Sequence, residues 1–159
     1  TKKDILHLIR KIRRMIPGCA LRASVIVGFP GETEKEFQEL LSFLKEVRFE
    51  RLGVFTYSRE EGTPAFSLPG QVHHKTKIYR RRRVMETQRD ISSAYNRRLL
   101  GRTIDVLVEE RRGDTSIARS RHDAPEVDPV VIINRNDLEP ATFYRAQVID
   151  ALDYDLVAI

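Results

Sequence analysis

"VIVGFPGETEKEF", residues 25–37, decides how the first half of this chain folds. It starts apolar and β-branched, turns through Gly28, Pro30 and Gly31, and resumes as an acidic helix. Thr33 is a good N-cap, and Glu36 three positions later completes a capping box. Phe37, Leu40, Leu41, Leu44 and Val47 follow at helical spacing and form the apolar stripe. Upstream, residues 21–28, "LRASVIVG", read as a strand of the kind buried on both faces of a parallel sheet. Before it, Ile5, Leu8, Ile9, Ile12 and Ile16 recur at helical spacing until Pro17 and Gly18 stop the pattern. Downstream, residues 51–57, "RLGVFTY", supply a second strand. Helix, strand, helix, strand is a piece of parallel α/β architecture with a right-handed crossover. Two strands do not finish a sheet, so this part is expected to continue in a longer protein or to lean on another chain.

Residues 60–70, "EEGTPAFSLPG", are rich in turn formers and read as a connector leaving the sheet. A basic helix is expected from about His74 to Leu99, with Ile78, Val84, Met85, Ile91, Tyr95 and Leu99 as an interrupted apolar face and Gly101 as its stop. Beyond Arg102 the pattern changes to five short β-branched runs, "TIDVLVEE", "TSIARS", "PVVII", "TFYRAQVIDA" and "YDLVA". Such runs predict a small five-stranded antiparallel, OB-like barrel. The expected division is therefore an α/β part over residues 1–70, a basic helix over 71–101 and an all-β barrel over 102–159.

Charge follows that division. The net charge is +5 in total, but residues 1–72 carry 12 basic and 9 acidic groups, residues 73–102 carry 10 and 2, and residues 103–159 carry 6 and 12. A barrel with twice as many acids as bases is a poor match for nucleic-acid phosphates. The basic helix points the other way: Lys75, Lys77 and the run Arg80 to Arg83 could track phosphates, or could serve as a solvated face and as partners for acidic neighbours. No apolar run reaches the length of a membrane span, and no signal-peptide pattern opens the sequence; a cytoplasmic location without membrane contact is the expectation. The single cysteine, Cys19, cannot by itself hold a metal cluster and reads as a packing residue. The four histidines, His7, His73, His74 and His122, show no metal-ligand spacing.

The corner at Gly28 lies where parallel α/β structures bind ligands, at the carboxyl end of a strand. Its glycines let backbone approach a ligand, and the next helix offers amide groups. From spacing alone an ordinary tight strand-to-helix turn is the plainer reading.

A longer comparison weighs in. "IVGFPGETEKEFQELLSFLKEVRFERLGVFTYSREEGTPA", residues 26–65, closely resembles the last strands of the barrel in radical S-adenosylmethionine (SAM) methylthiotransferases. Residues 102–159 resemble the TRAM domain of that family. Within it, "ARSRHDAPEVDPVV", residues 118–131, is more similar to the RimO branch, which acts on an aspartate of small ribosomal subunit protein twelve, than to the tRNA-modifying MiaB branch. The resemblance implies an enzyme using SAM and two 4Fe-4S clusters, one for radical generation and one for sulfur supply. The family's cluster-binding cysteine sets are absent, so this chain is expected to be the C-terminal part of such an enzyme, to bind neither cluster, and to be inactive alone. The family pattern G-x-I-x-G-x-x-E is met at Ile26 and Gly28, while Ser24 replaces the first glycine and Glu32 falls one position late. The resemblance thus implies a SAM-site wall at Ile26, Val27, Gly28 and Phe29, with Phe55, Tyr57 and Ser58 as further lining, and leaves Glu32 to favour the helix start. It also implies that the terminal barrel contacts the substrate macromolecule. An acidic barrel suits a basic ribosomal protein, with Asp123, Glu126 and Asp128 as docking groups; a solvated hairpin loop is the plainer alternative. Two other readings stay open, a MiaB-like tRNA enzyme and a non-catalytic module binding RNA or protein.

Overall fold

The computed structural model describes residues 1–159. The elements run α1 (Lys2–Met15), β1 (Arg22–Val27), α2 (Glu34–Val47), β2 (Arg51–Thr56), a short 3-10 turn (Pro64–Ser67), α3 (His74–Arg97), β3 (Thr103–Arg112), β4 (Thr115–Ser120), β5 (Val131–Ile133), β6 (Phe143–Ala151) and β7 (Leu156–Ala158). The chain divides into two compact units, Thr1–Ile91 and Ser92–Ile159, so the division falls within α3. No helix is long and apolar enough to cross a membrane.

In the first unit β1 and β2 pair in parallel, with Ser24 opposite Gly53 and Ile26 opposite Phe55. Val27, Phe37, Leu41, Leu44, Val47, Phe49, Val54 and Val84 form the core on one side of this sheet. The other side carries nothing: Ile26 and Phe55 are each 58% exposed. The expectation of a strand buried on both faces is therefore corrected, because a two-stranded sheet here has a helical layer on one face only. The stripe expected of α1 is corrected in the same way. Only Ile9 is buried, while Ile5, Leu8, Met15 and Ile16 are exposed. What anchors α1 is polar: the Arg13 guanidinium donates to the Val47 and Arg48 carbonyls at 3.2 and 3.1 Å and pairs with Glu50 at 3.0 Å. These carbonyls end α2, where a cation also meets the negative end of the helix dipole.

The connector over residues 60–70 does not leave the sheet. Gly70 accepts from the Gly31 amide at 2.8 Å, and a Cβ on Gly70 would lie 3.2 Å from that nitrogen. Helix α3 also departs from its reading. Val84 and Ile91 are buried, but Ile78 and Tyr79 are exposed, and Arg80, Gln88, Ser92 and Asn96 are buried in place of apolar residues.

The second unit is a closed barrel in the order β3-β4-β5-β7-β6, returning to β3. Four pairings are antiparallel, and β5–β7 is parallel. A ring with an odd number of strands cannot alternate direction at every neighbour, so a wholly antiparallel five-membered barrel is not available and one parallel pair must occur. Bulges between Val108 and Glu110 and between Val148 and Asp150 bend β3 and β6. Val106, Val108, Ala118, Val131, Ile133, Ala146, Val148, Leu156 and Ala158 fill the interior. Gly101, at φ 74°, ends the run after α3 and donates to the Val148 carbonyl at 2.9 Å. Asn96, fully buried, donates from Nδ2 to the carbonyls of Tyr154 at 2.7 Å and Leu152 at 3.2 Å, satisfying the turn between β6 and β7.

The predicted capping box is present: Thr33 Oγ1 accepts from the Glu36 amide at 3.2 Å, and the Glu36 carboxylate accepts from the Thr33 amide at 2.8 Å. The Thr33 amide, and then its hydroxyl, hold the Glu36 carboxyl below its ordinary range. A depressed acid stabilises the fold above the ordinary carboxyl titration, and the contribution disappears as pH falls through the lowered folded value. Thr33→Ala is expected to cost about 1 kcal/mol at neutral pH in urea unfolding. In the same variant the Glu36 carboxyl, followed by NMR titration, should move back up toward its ordinary range. The backbone amide stays in this variant, so the move tests the hydroxyl's share alone, and an unmoved titration would contradict that share.

Candidate functional site

At the end of β1 the chain reverses through Gly28 and Gly31, both in the left-handed region at φ 75° and 83°. These conformations need glycine. The turn closes with the Glu32 amide donating to the Phe29 carbonyl at 2.9 Å. Across the sheet, the Tyr57 amide donates to the Val27 carbonyl at 2.9 Å, so the ends of β1 and β2 are tied side by side. Phe29 and Tyr57 meet edge to face, with ring centroids 5.2 Å apart.

Several backbone amides of the glycine-rich turn and the start of α2 are already engaged. Gly28 N–H donates to the Glu32 carboxylate, Gly31 N–H to Gly70, Glu32 N–H to Phe29, and Thr33 and Glu36 cap one another. The corner receives helix α3. Arg80, 4% exposed, sends Nη1 to the Glu32 carboxylate at 2.8 Å and to the Glu32 carbonyl at 3.0 Å. Its Nη2 lies 3.4 Å from Glu34, and the guanidinium sits over the Phe37 ring at 5.2 Å. Lys77 donates from Nζ to the Tyr57 carbonyl at 2.9 Å and lies 4.9 Å over the Tyr57 ring. Its methylenes occupy the space above Gly28: a Cβ there would stand 2.4 Å from Lys77 Cγ.

The sequence-predicted wall residues fall into two groups. Ile26, Phe29 and Phe55 are exposed apolar side chains, and the Phe55 ring lies back over Gly53, where a Cβ would come within 3.2 Å of it. Val27 is fully buried in the core, so its side chain is not available to a ligand. Gly28 is covered by Lys77, and Ser58 bonds to Glu60 at 2.6 Å. Tyr57 Oη is buried and has no partner. An exposed apolar ledge beside an unsatisfied hydroxyl fits a flat, partly polar group such as a nucleoside. A cluster does not fit these residues, since three cysteine ligands are needed and the chain has Cys19 alone.

Within the barrel, the loop between β4 and β5 is built by its own acids. Asp123, 7% exposed, accepts from the Ser120 hydroxyl at 2.5 Å. Asp128 accepts from the Ala124 amide at 2.8 Å. The structure therefore gives Asp123 an inward, loop-bracing position in place of the exposed docking position expected for it. Glu126 is exposed, at φ 63°. Beside it lies a cleft of about 480 Å³ whose lining includes Glu109, Glu110, Arg112, Arg119, Glu126 and Asp128. Arg119 pairs with Glu109 at 2.8 Å, and Arg112 pairs with Glu110.

Comparison with known proteins places this geometry. Residues 100–159 match the family described as the TRAM domain. Nearly the whole chain is similar to proteins named ribosomal protein uS12 methylthiotransferase RimO. The identity is 46% with that of Desulforamulus reducens, over 99% of this chain and 36% of that protein. It is 47% with that of Desulforudis audaxviator, over 98% and 35%, and 46% with that of Clostridioides difficile, over 99% and 36%. Over nearly its whole length the chain is similar to RimO sequences, and its barrel matches the TRAM domain. It spans about a third of the length of these relatives. The radical SAM methylthiotransferase resemblance and the α/β-plus-barrel architecture both stand.

Arg80 and Lys77 are the residues that sequence reasoning missed. The basic run was open to phosphate contact, a solvated face or pairing with acidic neighbours; pairing holds for Arg80, but its burial was not expected. The available signal was its four-residue spacing to Val84 and Gln88, which puts all three on one helix face.

Gly28→Ala forces a β-carbon onto Lys77 and a left-handed backbone onto alanine, and is expected to destabilise the first unit by roughly 1–2 kcal/mol. Adding Lys77→Ala should recover the steric share and leave the backbone share, measured as a double-mutant cycle in urea. Strict additivity would rule out the Lys77 contact as the cause.

Proposed function

We propose that this chain is part of a RimO-type enzyme that methylthiolates the β-carbon of an aspartate in small ribosomal subunit protein uS12, with SAM and two 4Fe-4S clusters, in the cytoplasm. The single observation that carries this reading is the identity of 46–47% that runs through both compact units to proteins of that name. On this reading residues 1–70 furnish part of the SAM-site wall, the helix region 71–101 braces it, and residues 102–159 dock the substrate. Ile26, Phe29 and Phe55 would offer an apolar ledge to the adenosyl group, and Tyr57 Oη a polar contact at its edge. The cofactors supply the reductive cleavage, the sulfur and the methyl group; the protein's part is to bind, orient and exclude water. With one cysteine, the chain takes its cluster ligands from residues outside those described, and alone it is proposed to be inactive.

Docking rests on charge. A ribosomal protein is strongly basic, and the barrel meets it with an acidic surface on which Glu126 is the exposed acid of the β4–β5 loop. The tRNA alternative drew its support from the arginine run of α3. That support is reduced, because Arg80 is buried against Glu32 while Arg82 and Arg83 both face Glu86, at 3.7 and 3.1 Å.

The test is to assay the longer protein that contains this chain, with clusters reconstituted, against uS12 and against bulk tRNA, following methylthio transfer by mass spectrometry. Modification of uS12 is expected. Glu126→Lys should raise KM for uS12 by about threefold at low salt, leave kcat unchanged and flatten the salt dependence. Transfer to tRNA with uS12 untouched would overturn the reading in favour of the MiaB-like one; no transfer to either, with SAM bound, would favour a binding module.

A further inference from the structure

We propose that Arg80 is a positioning residue for the cofactor wall: through Glu32 it sets the backbone at Gly28 and so fixes the ledge formed by Ile26 and Phe29. The inference rests on the SAM-wall reading above and concerns residues that reading does not use.

A guanidinium at 4% exposure must be paired, because a lone buried charge is unstable by several kcal/mol. Arg80 is paired in one particular way. Nη1 takes both the carboxylate and the carbonyl of Glu32, which fixes that residue's main chain and side chain at once. The same carboxylate oxygen, Oε2, accepts the Gly28 amide. Helix α3 therefore dictates the direction of the Gly28 N–H through a single intervening carboxylate. Three residues earlier on the same helix, Lys77 holds the Tyr57 carbonyl and covers Gly28. One face of α3 thus grips the ends of both strands that carry the ledge.

Stability does not explain the arrangement well. Arg80 Nε is buried without a partner, and a well-packed apolar side chain would avoid that loss. A partly satisfied buried charge is explained by the geometry it enforces. The family pattern matched at Ile26 and Gly28 places its acid one position before Glu32, and the Arg80 contact accounts for an acid at the later position.

The experiment uses the longer, cluster-reconstituted protein. SAM affinity is measured by calorimetry, Gly28 amide exchange by hydrogen-exchange mass spectrometry, and KM for uS12 in parallel. Arg80→Gln and Glu32→Gln should each weaken SAM binding by about tenfold and speed exchange at the corner, with KM for uS12 unchanged. The double variant should be no worse than either single one, since both break one path. Arg80→Lys should fall between, keeping the charge and losing the fork. Leu44→Ala, which loosens the same core farther along α2 from the Arg80 contacts, serves as the control for stability. If Arg80→Gln does not fold, the near-isosteric Glu32→Gln carries the test alone. Wild-type SAM affinity in a folded Glu32→Gln variant overturns the proposal, as does an equal loss in Leu44→Ala. Ile26→Asp separates the two levels: if it leaves SAM binding intact, the wall reading itself fails, and the positioning role with it.

Discussion

In the first unit the buried Arg80 guanidinium ties α3 to the turn after β1. Helix α3 can pack its Arg80–Val84–Gln88 face against the core only if the guanidinium finds a carboxylate there, and Glu32 is that carboxylate. Glu32 can reach it only from a turn that has reversed within the residues after β1, which requires the left-handed glycines at 28 and 31. Those glycines in turn leave the Gly28 amide pointing at the same carboxylate, and leave room for Lys77. Gln88 completes the seam by donating to the Phe49 carbonyl at 3.0 Å, just before β2. Glycine, acid and arginine therefore answer to one another, although 48 positions separate Glu32 from Arg80.

The barrel obeys a different constraint. Five strands must close with one parallel pair, and a parallel neighbour cannot be reached by a short hairpin. Between β5 and β7 the chain makes β6, then returns through a tight turn whose carbonyls are left facing inward. Asn96 answers them from the end of α3, and the Asp155 carboxylate accepts the Val130 amide at 2.9 Å on the β5 side. Ser116, also buried, gives its hydroxyl to the Arg135 carbonyl at 2.6 Å. Asn96 and Ser116 thus satisfy carbonyls at positions where a pattern of apolar residues would predict Val or Leu.

Much of the fold was legible because it is written in short-range signals. The Thr33–Glu36 capping box, the Phe37–Val47 stripe, the Gly101 stop and the five β-branched runs each depend on neighbours within a few residues, and each is found. The misreadings share a cause. Periodicity reports that Ile5, Leu8, Ile9 and Ile16 lie on one side of α1, but not how much of that side is covered, and here only Ile9 of the four is buried. It reports that Arg80 belongs to a charge run, but not that one of four arginines turns inward. Asp123 was taken for a surface acid because it lies in a polar loop; its partner, Ser120, is only three positions away, yet whether an Asp braces a loop or faces solvent is decided by side-chain direction. The wall at residues 26–29 follows from the family resemblance, which implies contact through the backbone and does not say which side chains face out. Strand alternation then separates Val27, which is core, from Ile26, which is not.

The same accounting bears on which macromolecule this surface suits. Read as counts, α3 is a basic rod and the barrel an acidic one, and the two predictions oppose each other. Read as partners, they do not have equal weight. Arg80 is neutralised by Glu32 and Glu34, and Arg82 and Arg83 share Glu86, so three charges of the four-arginine run are answered within the first unit. In the barrel, Glu109, Glu110, Asp137 and Glu139 each face an arginine. Pairing removes charge of both signs there, and the excess of 12 acids over 6 bases survives it. A phosphate backbone approaching the barrel meets net repulsion that salt weakens only over distances beyond about 10 Å. A basic protein meets net attraction on the same terms, and the exposed Glu126, next to the cleft and without a partner of its own, is where that attraction can become a contact.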